Sequence, residues 1–546
     1  MPPFLPTLVR HSLVALSCAV LAACGSIRYE PIKTLSEANF DEGYRLYDSI
    51  LRRDELAFNN RTSNQLFMIM TFSGGGTRAA ALGYGVLEEM AQNQIQLGDK
   101  QTTLFNEVDL VFGISGGAIL AAYYGLHGPD TLGHFEKNFL RQNLQGILKR
   151  QLFAIPNLSR LSSPEFGRGD LLAEQLDQAL FKGKTYQAMI SERKGPFAVI
   201  SATDMSSGNR LDFTQEAFDL MCLDLADMPI ARAVAASSSV PLVFAPLTLN
   251  NNGGNCSYKN IPDVLQQLEQ AVEQKTTLFR AQTRREMIRD LRQYANSEKR
   301  PYIHLVDGGL TDNLGLRSLL DMTNLFSRDY LYDVLDHGTA QKIVIINVNA
   351  QNELSQQVDQ TANIPTMGQV LSALVSIPID KYSQESERQF RVLVDTFKEE
   401  QRRQSQLKGT APVEIYYISL GLKDLPNEYL RQQALNIPTS LYLPNEAINQ
   451  LKSAGATLLN QSEEYQRLMH DLGTRPKRIE LPLAAQIMTK EAEAAAQAVE
   501  GTKAPQPEPN APAPNMPAAA MTQELSVSEW LQQAGADGVK SQISPP

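Results

Sequence analysis

Five short apolar runs recur along the first two thirds of the chain, and each has the length of a buried β-strand. Their sequences are LFMIMTF, EVDLVFG, PFAVISAT, YIHLV and KIVIINVNA, and they lie at 66–72, 107–113, 196–203, 302–306 and 342–350. After the first run, apolar residues recur with helical spacing at Ala80, Leu82, Val86, Leu87 and Met90. Buried strands that alternate with amphipathic helices predict an α/β fold built on a mainly parallel sheet.

The chain divides into five parts on composition and pattern. These are a targeting segment at 1–23, a polar lead-in at 24–64, the α/β core at 65–350, a mainly helical part at 351–500, and a Pro/Ala-rich tail at 501–546. The helical part contains one strand-like run, VEIYYISL, and is expected to complete the core or cap it. The composition of the tail predicts disorder.

A helical insertion at 257–300 interrupts the core just before the YIHLV run. Apolar positions at helical spacing over 262–296 predict a long amphipathic helix there. Two interpretations stay open. The helix is either a lid over the functional site or an ordinary helix that packs on the core.

The second apolar run leads into a turn in which Ser115 lies between Gly113 and Gly117. A Gly-x-Ser-x-Gly frame between a strand and a helix of small residues is the pattern of a nucleophile elbow, which exposes the serine Oγ. The two glycines omit side chains that would collide with the neighbouring strand and helix. The pattern is short, and an ordinary strand-to-helix turn is the alternative.

Three consecutive glycines, Gly74, Gly75 and Gly76, follow the first run and precede its helix. Their amides are unshielded at a helix N-terminus, where the positive end of the helix dipole favours an anion such as an oxyanion. A nucleotide site is disfavoured because neither G-x-x-x-x-G-K-[ST] nor G-x-G-x-x-G is present. Arg78 is a solvated surface residue, a brace for the loop, or a source of positive charge near the oxyanion.

The fourth run delivers Asp307, Gly308 and Gly309 into a turn. Ligand sites of open α/β sheets form at the carboxyl edge of the strands, so we expect Asp307 at the same edge as Ser115 and the glycine loop. A turn-forming aspartate before glycine is the alternative.

Taken in this order, the three motifs resemble the patatin-like phospholipase family of lipid acyl hydrolases. The resemblance rests on 74–78 as the oxyanion motif, 113–117 as the serine elbow and 307–309 as the aspartate motif. Weaker similarity lies at 203–204 and 235–241, and Ala79 stands where the family usually carries glycine. The resemblance implies a three-layer α/β/α core with a helical C-terminal elaboration, and membrane lipids as substrate.

The resemblance further implies a Ser115–Asp307 dyad that cleaves lipid esters through an acyl-enzyme, with the glycine-loop amides stabilising the oxyanion. The alternation of side chains along a strand turns His304 away from Asp307. The chain has six histidines, which are His11, His127, His134, His304, His337 and His470. His11 belongs to the targeting segment, and His127 and His134 follow the elbow helix. His337 and His470 stay open on sequence alone, but neither follows a clean strand end, and we expect the dyad to act without a histidine.

The N-terminus resembles a bacterial lipoprotein signal. After Arg10, the apolar stretch 12–23 has the length of a signal-peptide core and is too short to span a bilayer as a helix. The sequence LAAC at 21–24 matches the lipobox, whose cysteine is acylated, and a plain secretory signal is the alternative. With Gly25 after Cys24, we expect a lipid-anchored protein of the bacterial cell envelope, at the outer membrane.

Cys222 and Cys256 are the thiols that remain once Cys18 leaves with the signal and Cys24 carries lipid. An exported pair can form a disulfide, and two unpaired buried cysteines are an equal alternative. No Cys/His spacing suggests a metal site, and no cofactor is expected. The formal net charge of −10 argues against nucleic acid as a partner. The oligomeric state stays open.

Two other functions are weighed against a phospholipase. One is a carboxylesterase or lipase that acts on other esters, and the other is a membrane-anchored lipid-binding protein on the same scaffold. A binding scaffold would keep the glycines while losing Ser115 or Asp307, and both residues are present. A Ser-His-Asp esterase would need a histidine in a late strand-to-helix loop, which the sequence does not offer convincingly.

Overall fold

The computed structural model describes residues 29–46, 62–63, 65–259, 278–325, 340–352 and 357–474. The predicted signal segment, Cys24 and the tail at 501–546 lie outside the described residues. So does the stretch 260–277, which covers the first part of the predicted insertion helix.

The strands of the described residues, in chain order, are β1 Glu37–Asn39, β2 Leu66–Phe72, β3 Gln94–Leu97, β4 Lys100–Thr103, β5 Val108–Ile114, β6 Phe197–Asp204, β7 Arg210–Asp212, β8 Leu247–Asn250, β9 Ser257–Lys259, β10 Tyr302–Val306, β11 Lys342–Asn349 and β12 Glu414–Gly421.

The α-helices are α1 Gly76–Gln92, α2 Gly116–His127, α3 Thr131–Phe135, α4 Leu144–Leu152, α5 Ile155–Leu161, α6 Arg168–Leu176, α7 Tyr186–Ser191, α8 Gln215–Leu220, α9 Ile230–Ser237, α10 Leu278–Arg292, α11 Gly309–Asp312, α12 Arg317–Leu325, α13 Met367–Lys408, α14 Glu428–Asn436, α15 Asn445–Gln461 and α16 Glu463–Asp471. Two π-helical turns, Glu136–Leu140 and Asp177–Phe181, continue α3 and α6.

One large sheet forms the centre of the molecule, with the strand order β12-β11-β2-β5-β6-β10-β8 and β7 paired to β6. The strands from β12 to β6 are parallel to their neighbours. β2, β5, β6 and β11 are buried along almost their whole length, as expected for strands that helices cover on both faces. The prediction of an α/β fold with a mainly parallel sheet flanked by helices is confirmed.

The strand that precedes Asp307 corrects one step of the sequence argument. β10 runs antiparallel to β6 and to β8, so its carboxyl end does not share the direction of the parallel strands. β10 instead begins beyond the end of β6 and runs back toward it, with Val306 opposite Thr203. The next residue, Asp307, therefore reaches the carboxyl edge of β5 from the opposite direction. Asp307 thus lies at the edge of the sheet where it was expected, but the assumption that its strand runs in the direction of the parallel strands was wrong.

The C-terminal part completes the sheet and covers one of its helices. β12 pairs in parallel with β11 and is the edge strand of the sheet. α15 packs against α1, which is buried along most of its length and also contacts α2. The helix α13 is 42 residues long, but no helix in the described ranges is both long and apolar enough to cross a membrane.

The described part of the lead-in packs on the core. The hydroxyl of Tyr44 donates to the Ala198 carbonyl at 3.1 Å and accepts from the Ala198 amide at 2.8 Å. A buried ion pair joins Arg45 to Asp219 at 2.8 Å. β1 pairs with β9, at the start of the insertion.

The described part of the insertion is also tied to the core. Its helix α10 ends at Arg292, a few residues short of the predicted end. Beyond it, Tyr294 and Arg300 both donate to the buried Asp204 carboxylate, at 3.0 and 2.6 Å. These contacts favour a packed helix over a lid for this part of the insertion.

Candidate active site

Ser115 lies in a strained turn between β5 and α2. Its φ of 52° and ψ of −121° fall in a region that residues with a side chain rarely adopt. The two glycines that follow have no room for a side chain, because a Cβ on Gly116 would lie 2.0 Å from the Gly76 carbonyl oxygen and one on Gly117 would lie 2.3 Å from that of Phe72. The turn thus matches the geometry expected of a nucleophile elbow.

The side chains of Ser115 and Asp307 meet directly. The Ser115 hydroxyl donates to Oδ2 of Asp307 at 2.8 Å, although the two residues are 192 positions apart in sequence. The Gly309 amide donates to Oδ1 of the same carboxylate at 2.8 Å, and the Asp307 amide donates to the Ser239 carbonyl at 2.9 Å. Both oxygens of the carboxylate are therefore held, and one of them faces the serine.

The environment of Asp307 favours a stronger base than an ordinary aspartate. Ser115 and Asp307 are only 7% and 5% exposed. Burial raises the pKa of the Asp307 carboxyl from 3.8 to about 6, although the hydrogen bonds from Gly309 and Ser115 act in the opposite direction. At neutral pH this carboxyl is still ionised, and it is a better proton acceptor than a solvated aspartate.

A second serine supports the elbow. The backbone N–H of Ser115 donates to Oγ of Ser237 at 2.9 Å, and the Ser237 hydroxyl donates to the Ser201 carbonyl at 2.6 Å. Ser237 thus links the elbow to β6 through one buried hydroxyl. The stretch 235–241 has only weak similarity to the family in sequence, and no local signal indicates this role of Ser237.

The glycine loop lies against Ser115, but its three amides are not equivalent. The Gly74 amide donates to the Asn313 carbonyl at 3.0 Å, so the prediction that it stabilises an oxyanion is not supported. The Gly75 and Gly76 amides have no acceptor among the described residues. The same holds for the amide of Gly116, the first residue of α2. These three N–H groups remain available to a ligand.

Arg78 braces the loop rather than facing solvent. Its guanidinium is almost fully buried and donates to the Ile437 carbonyl at 2.8 Å. Burial lowers the pKa of the Arg78 guanidinium to about 10. Nearby, the Thr77 amide donates to the Ser440 carbonyl at 2.8 Å. Of the three roles considered for Arg78, these contacts favour the bracing one, with the segment 437–440 as its support.

None of the described histidines contacts Ser115 or Asp307. His304 is exposed, with Nδ1 at 3.0 Å from the Thr248 hydroxyl. The His127 ring packs at a tilt against Tyr123, with the ring centroids 4.2 Å apart, and burial lowers the pKa of its imidazole. His134 and His470 are also exposed. His11 and His337 lie outside the described residues.

The two cysteines of the folded part lie together. Cys222 and Cys256 form a disulfide, with their Cα atoms 5.7 Å apart. Within the described ranges, no group of three or more His, Cys, Asp or Glu side chains is arranged to hold a metal ion. The predicted lipidation site, Cys24, lies outside those ranges.

The assembled groups are those that acyl transfer requires. A serine hydroxyl lies within hydrogen-bond distance of a carboxylate, and unpaired backbone amides lie beside it on two helix N-termini. Such amides can donate to the oxygen of a carbonyl under attack.

A match to a protein-family model agrees with this chemistry. Residues 70–320, which contain all three motifs, match the family model described as patatin-like phospholipase. No curated protein matches the chain.

Solved structures similar to the chain include human GIVD cytosolic phospholipase A2, with 11% identity and a TM-score of 0.37. That match covers 78% of this chain and 64% of the other. A complex of that enzyme with methyl gamma-linolenyl fluorophosphonate matches with 11% identity and a TM-score of 0.33, over 75% and 59% of the two chains. This chain therefore spans less than two thirds of the length of those structures. By this match, residues 70–320 resemble the patatin-like phospholipase domain.

Proposed function

We propose that the protein is a serine lipid acyl hydrolase that cleaves ester bonds of phospholipids with a Ser115–Asp307 dyad. The observation that carries the proposal is the 2.8 Å hydrogen bond from the Ser115 hydroxyl to a buried carboxylate inside a region that matches a phospholipase family model. This match supports lipid hydrolase activity in general. The dyad and the acyl-enzyme are the finer parts of the proposal.

In the first half of the reaction, Oγ of Ser115 bonds to the carbonyl carbon of the ester while its proton moves to Oδ2 of Asp307. The Gly309 amide keeps that carboxylate oriented through its other oxygen. When the tetrahedral intermediate collapses, the bond to the leaving alcohol breaks and the proton passes to that alcohol. The product that stays behind is an acyl ester of Ser115.

In the second half, Asp307 takes a proton from a water molecule that attacks the acyl ester, and the proton returns to Oγ as the fatty acid leaves. Each half passes through an oxyanion. We assign its stabilisation to the amides of Gly75, Gly76 and Gly116, and not to that of Gly74. Removal of one such donor typically costs about a hundredfold to a thousandfold in rate.

The test of this function is a product analysis. The purified protein and its Ser115→Ala variant are incubated with phospholipid vesicles, a triacylglycerol emulsion and a soluble short-chain ester, and the products are identified by mass spectrometry. Fatty acid and lysophospholipid formed only with Ser115 present would support a phospholipase. Hydrolysis of the emulsion or the soluble ester alone would favour a lipase or a carboxylesterase. Binding of vesicles with no hydrolysis of any substrate would overturn the proposal in favour of a lipid-binding protein.

Ser237 offers a prediction about the elbow. Ser237→Ala leaves the buried Ser115 amide without its acceptor, which should lower the free energy of unfolding by about 1–3 kcal/mol. Because the elbow then loses its support, we also expect kcat to fall by about tenfold to a hundredfold, which corresponds to about 1.4–2.7 kcal/mol of activation free energy. KM should change little, because Ser237 is a positioning residue and does not face the substrate. Ser237→Thr, which retains a hydroxyl, should recover much of the rate.

Ser239→Ala is the matched control for this prediction. It removes a neighbouring hydroxyl that donates to the Ala235 carbonyl in the last turn of α9, while leaving the backbone carbonyl that accepts from Asp307. Equal losses of kcat for Ser237→Ala and Ser239→Ala would argue against a specific role for Ser237.

For the location of the protein, we propose an acylated Cys24 in the bacterial cell envelope, at the outer membrane. The match of residues 21–24 to a lipobox supports this proposal. The Cys222–Cys256 disulfide is consistent with it, because disulfides persist mainly in exported proteins.

We predict that mass spectrometry of the mature protein finds Cys24 as the acylated N-terminal residue, and that the protein sediments with membranes. Cys24→Ser should abolish acylation and block processing at that position. Cys18→Ser is the control, since the predicted cleavage removes that residue. A mature protein with a free thiol at Cys24 would contradict the proposed anchor.

A further inference from the structure

The helix α13 begins with an apolar surface that nothing in the described chain covers. Residues 361–379 contain no Asp, Glu, Lys or Arg. Along this stretch, four apolar side chains at helical spacing are between 43% and 72% exposed, and we name them the apolar face: Met367, Val370, Leu374 and Ile377. Positions separated by three and four residues lie on one side of a helix, so the four form a continuous stripe.

The rest of the same helix is rich in charged residues. Beyond Pro378, exposed arginines pair with partly buried glutamates one turn away, and these pairs are Glu385–Arg388, Glu387–Arg391 and Glu400–Arg403. Pro378 lacks the amide that would donate to the Leu374 carbonyl, so it separates the two halves. Tyr382, Val392 and Leu407 are also exposed in this half, but they stand among charged residues. An exposed apolar surface without any charged residue is therefore confined to the first part of α13, up to residue 379.

This end of α13 lies at the catalytic edge of the sheet. α13 packs against α11, which begins two residues after Asp307. The Asp380 carboxylate of α13 accepts a hydrogen bond at 2.9 Å from the side chain of Gln351, just beyond the carboxyl end of β11. The apolar face thus begins beside the elements that hold the dyad.

A further exposed apolar side chain lies beside the site. Leu242 is in the loop that follows Ser239, whose carbonyl accepts from the Asp307 amide. The start of α6 contacts this loop, since Arg168 donates to the Leu242 carbonyl at 3.1 Å. The catalytic edge thus carries an exposed apolar side chain outside α13 as well.

We propose that the apolar face of α13 inserts into the surface of a phospholipid bilayer and brings the dyad to its ester substrate. This inference rests on the proposed function and extends it by naming the surface that meets the membrane. An uncharged helical stripe at the mouth of a lipid-cleaving site can enter the boundary between headgroups and acyl chains without burying a charge. A second copy of the chain is a less suitable occupant, because it would cover the catalytic edge and exclude the lipid.

A fluorescence experiment tests where this surface goes. In the full chain with Ser115→Ala, Cys18→Ser and Cys24→Ser, a single cysteine is introduced as Leu374→Cys and labelled with the environment-sensitive dye NBD. The matched control is Val392→Cys, which lies on the charged half of the same helix and is likewise exposed. Cys222 and Cys256 do not compete for the dye because they form a disulfide.

With phosphatidylcholine vesicles, the dye at position 374 should shift its emission to shorter wavelength and be quenched by spin-labelled lipid. The dye at position 392 should keep the spectrum it has in water. A dye at 374 that stays in water while the protein sediments with vesicles would overturn the proposal. A shift of the emission at position 374 without vesicles would also overturn the proposal. If that shift depends on protein concentration, a second copy of the chain covers the face. If it does not, another segment of the same chain covers it.

An activity comparison separates this inference from the proposed function. In the active protein, Leu374→Asp with Ile377→Asp should lower hydrolysis of vesicle phospholipid by on the order of tenfold or more, since charges at this depth oppose insertion. Hydrolysis of a soluble short-chain ester should be unchanged. Val392→Asp with Leu407→Asp, on the charged half, is the control and should affect neither substrate. Equal losses on both substrates, or no loss on vesicles, would contradict the role of the apolar face.

If the unsubstituted protein hydrolyses none of these substrates, the proposed function fails. The fluorescence result would still decide whether the apolar face enters the bilayer.

Discussion

A Ser115→Ala variant is expected to lose lipid ester hydrolysis by roughly four to six orders of magnitude, because the variant cannot form the proposed acyl-enzyme. The loss should be in kcat, since the substitution removes only a hydroxyl and leaves the surrounding surface intact. Turnover on vesicle phospholipid measures the effect. A fluorophosphonate probe measures the same residue directly, because it should label the unsubstituted protein at Ser115 and leave the variant unlabelled.

Ser238→Ala is the matched control for this substitution. Ser238 is as buried as Ser115 and lies in the same region, but its hydroxyl has no hydrogen-bond partner among the described residues. It should keep both turnover and labelling. A probe adduct on a serine other than Ser115, or substantial turnover by Ser115→Ala, would show that the elbow has been misassigned.

Asp307→Asn is expected to lower turnover by roughly two to four orders of magnitude, because the amide cannot accept the serine proton. Asp312→Asn is the control. Asp312 is also buried, and burial raises the pKa of its carboxyl to about 6, but it accepts from the Leu316 and Arg317 amides and does not contact Ser115. It should retain far more activity than Asp307→Asn. A histidine whose replacement cost as much as Asp307→Asn, without unfolding the protein, would instead indicate a triad.

The pH dependence gives an independent measure of the same base. The proposed base, Asp307, acts only when ionised, so kcat/KM should rise as the pH increases through about 6, the pKa of its carboxyl in the folded protein.

The contribution of Asp307 to the free energy of unfolding should fall over the same pH range in which kcat/KM rises. The folded state holds this proton more tightly than the unfolded chain, so the resulting stabilisation is complete below pH 3.8 and is lost as the pH rises through about 6. At neutral pH, Asp307→Asn should therefore unfold at a temperature no lower than the unsubstituted protein. A rate that is flat between pH 5 and pH 8 would contradict the assignment of Asp307 as the base.

The sequence was sufficient to predict the strands and turns whose signals are local. The apolar runs that became β2, β5, β6, β10 and β11 have the continuous hydrophobic pattern of strands buried on both faces. Contacts between distant segments could not be predicted in this way. The direction of β10 depends on its pairing with β6 and β8, and nothing within Tyr302–Val306 encodes that pairing.

Contacts between distant segments also explain why Gly74 was wrongly expected to bind the oxyanion and why the role of Ser237 was missed. Gly74 lies in the predicted glycine loop, but its amide is occupied by Asn313, a residue 239 positions away. Ser237 holds the elbow from 122 positions away, and no spacing rule connects it to Ser115. Hydrogen bonds of this kind follow from the fold, so they become visible only when the segments are placed together.

The support that the segment 437–440 gives to the glycine loop has a consequence for dissecting this protein. The family match ends at residue 320, ahead of β11, β12 and this segment. A chain cut at that limit would leave β2 as an open edge of the sheet, whose unpaired amides and carbonyls invite self-association. It would also release Thr77 and Arg78 from the carbonyls of Ser440 and Ile437. The stretch that matches the family model is thus smaller than the part of the chain that packs as one sheet, and a shortened version of the protein should retain residues 340–474.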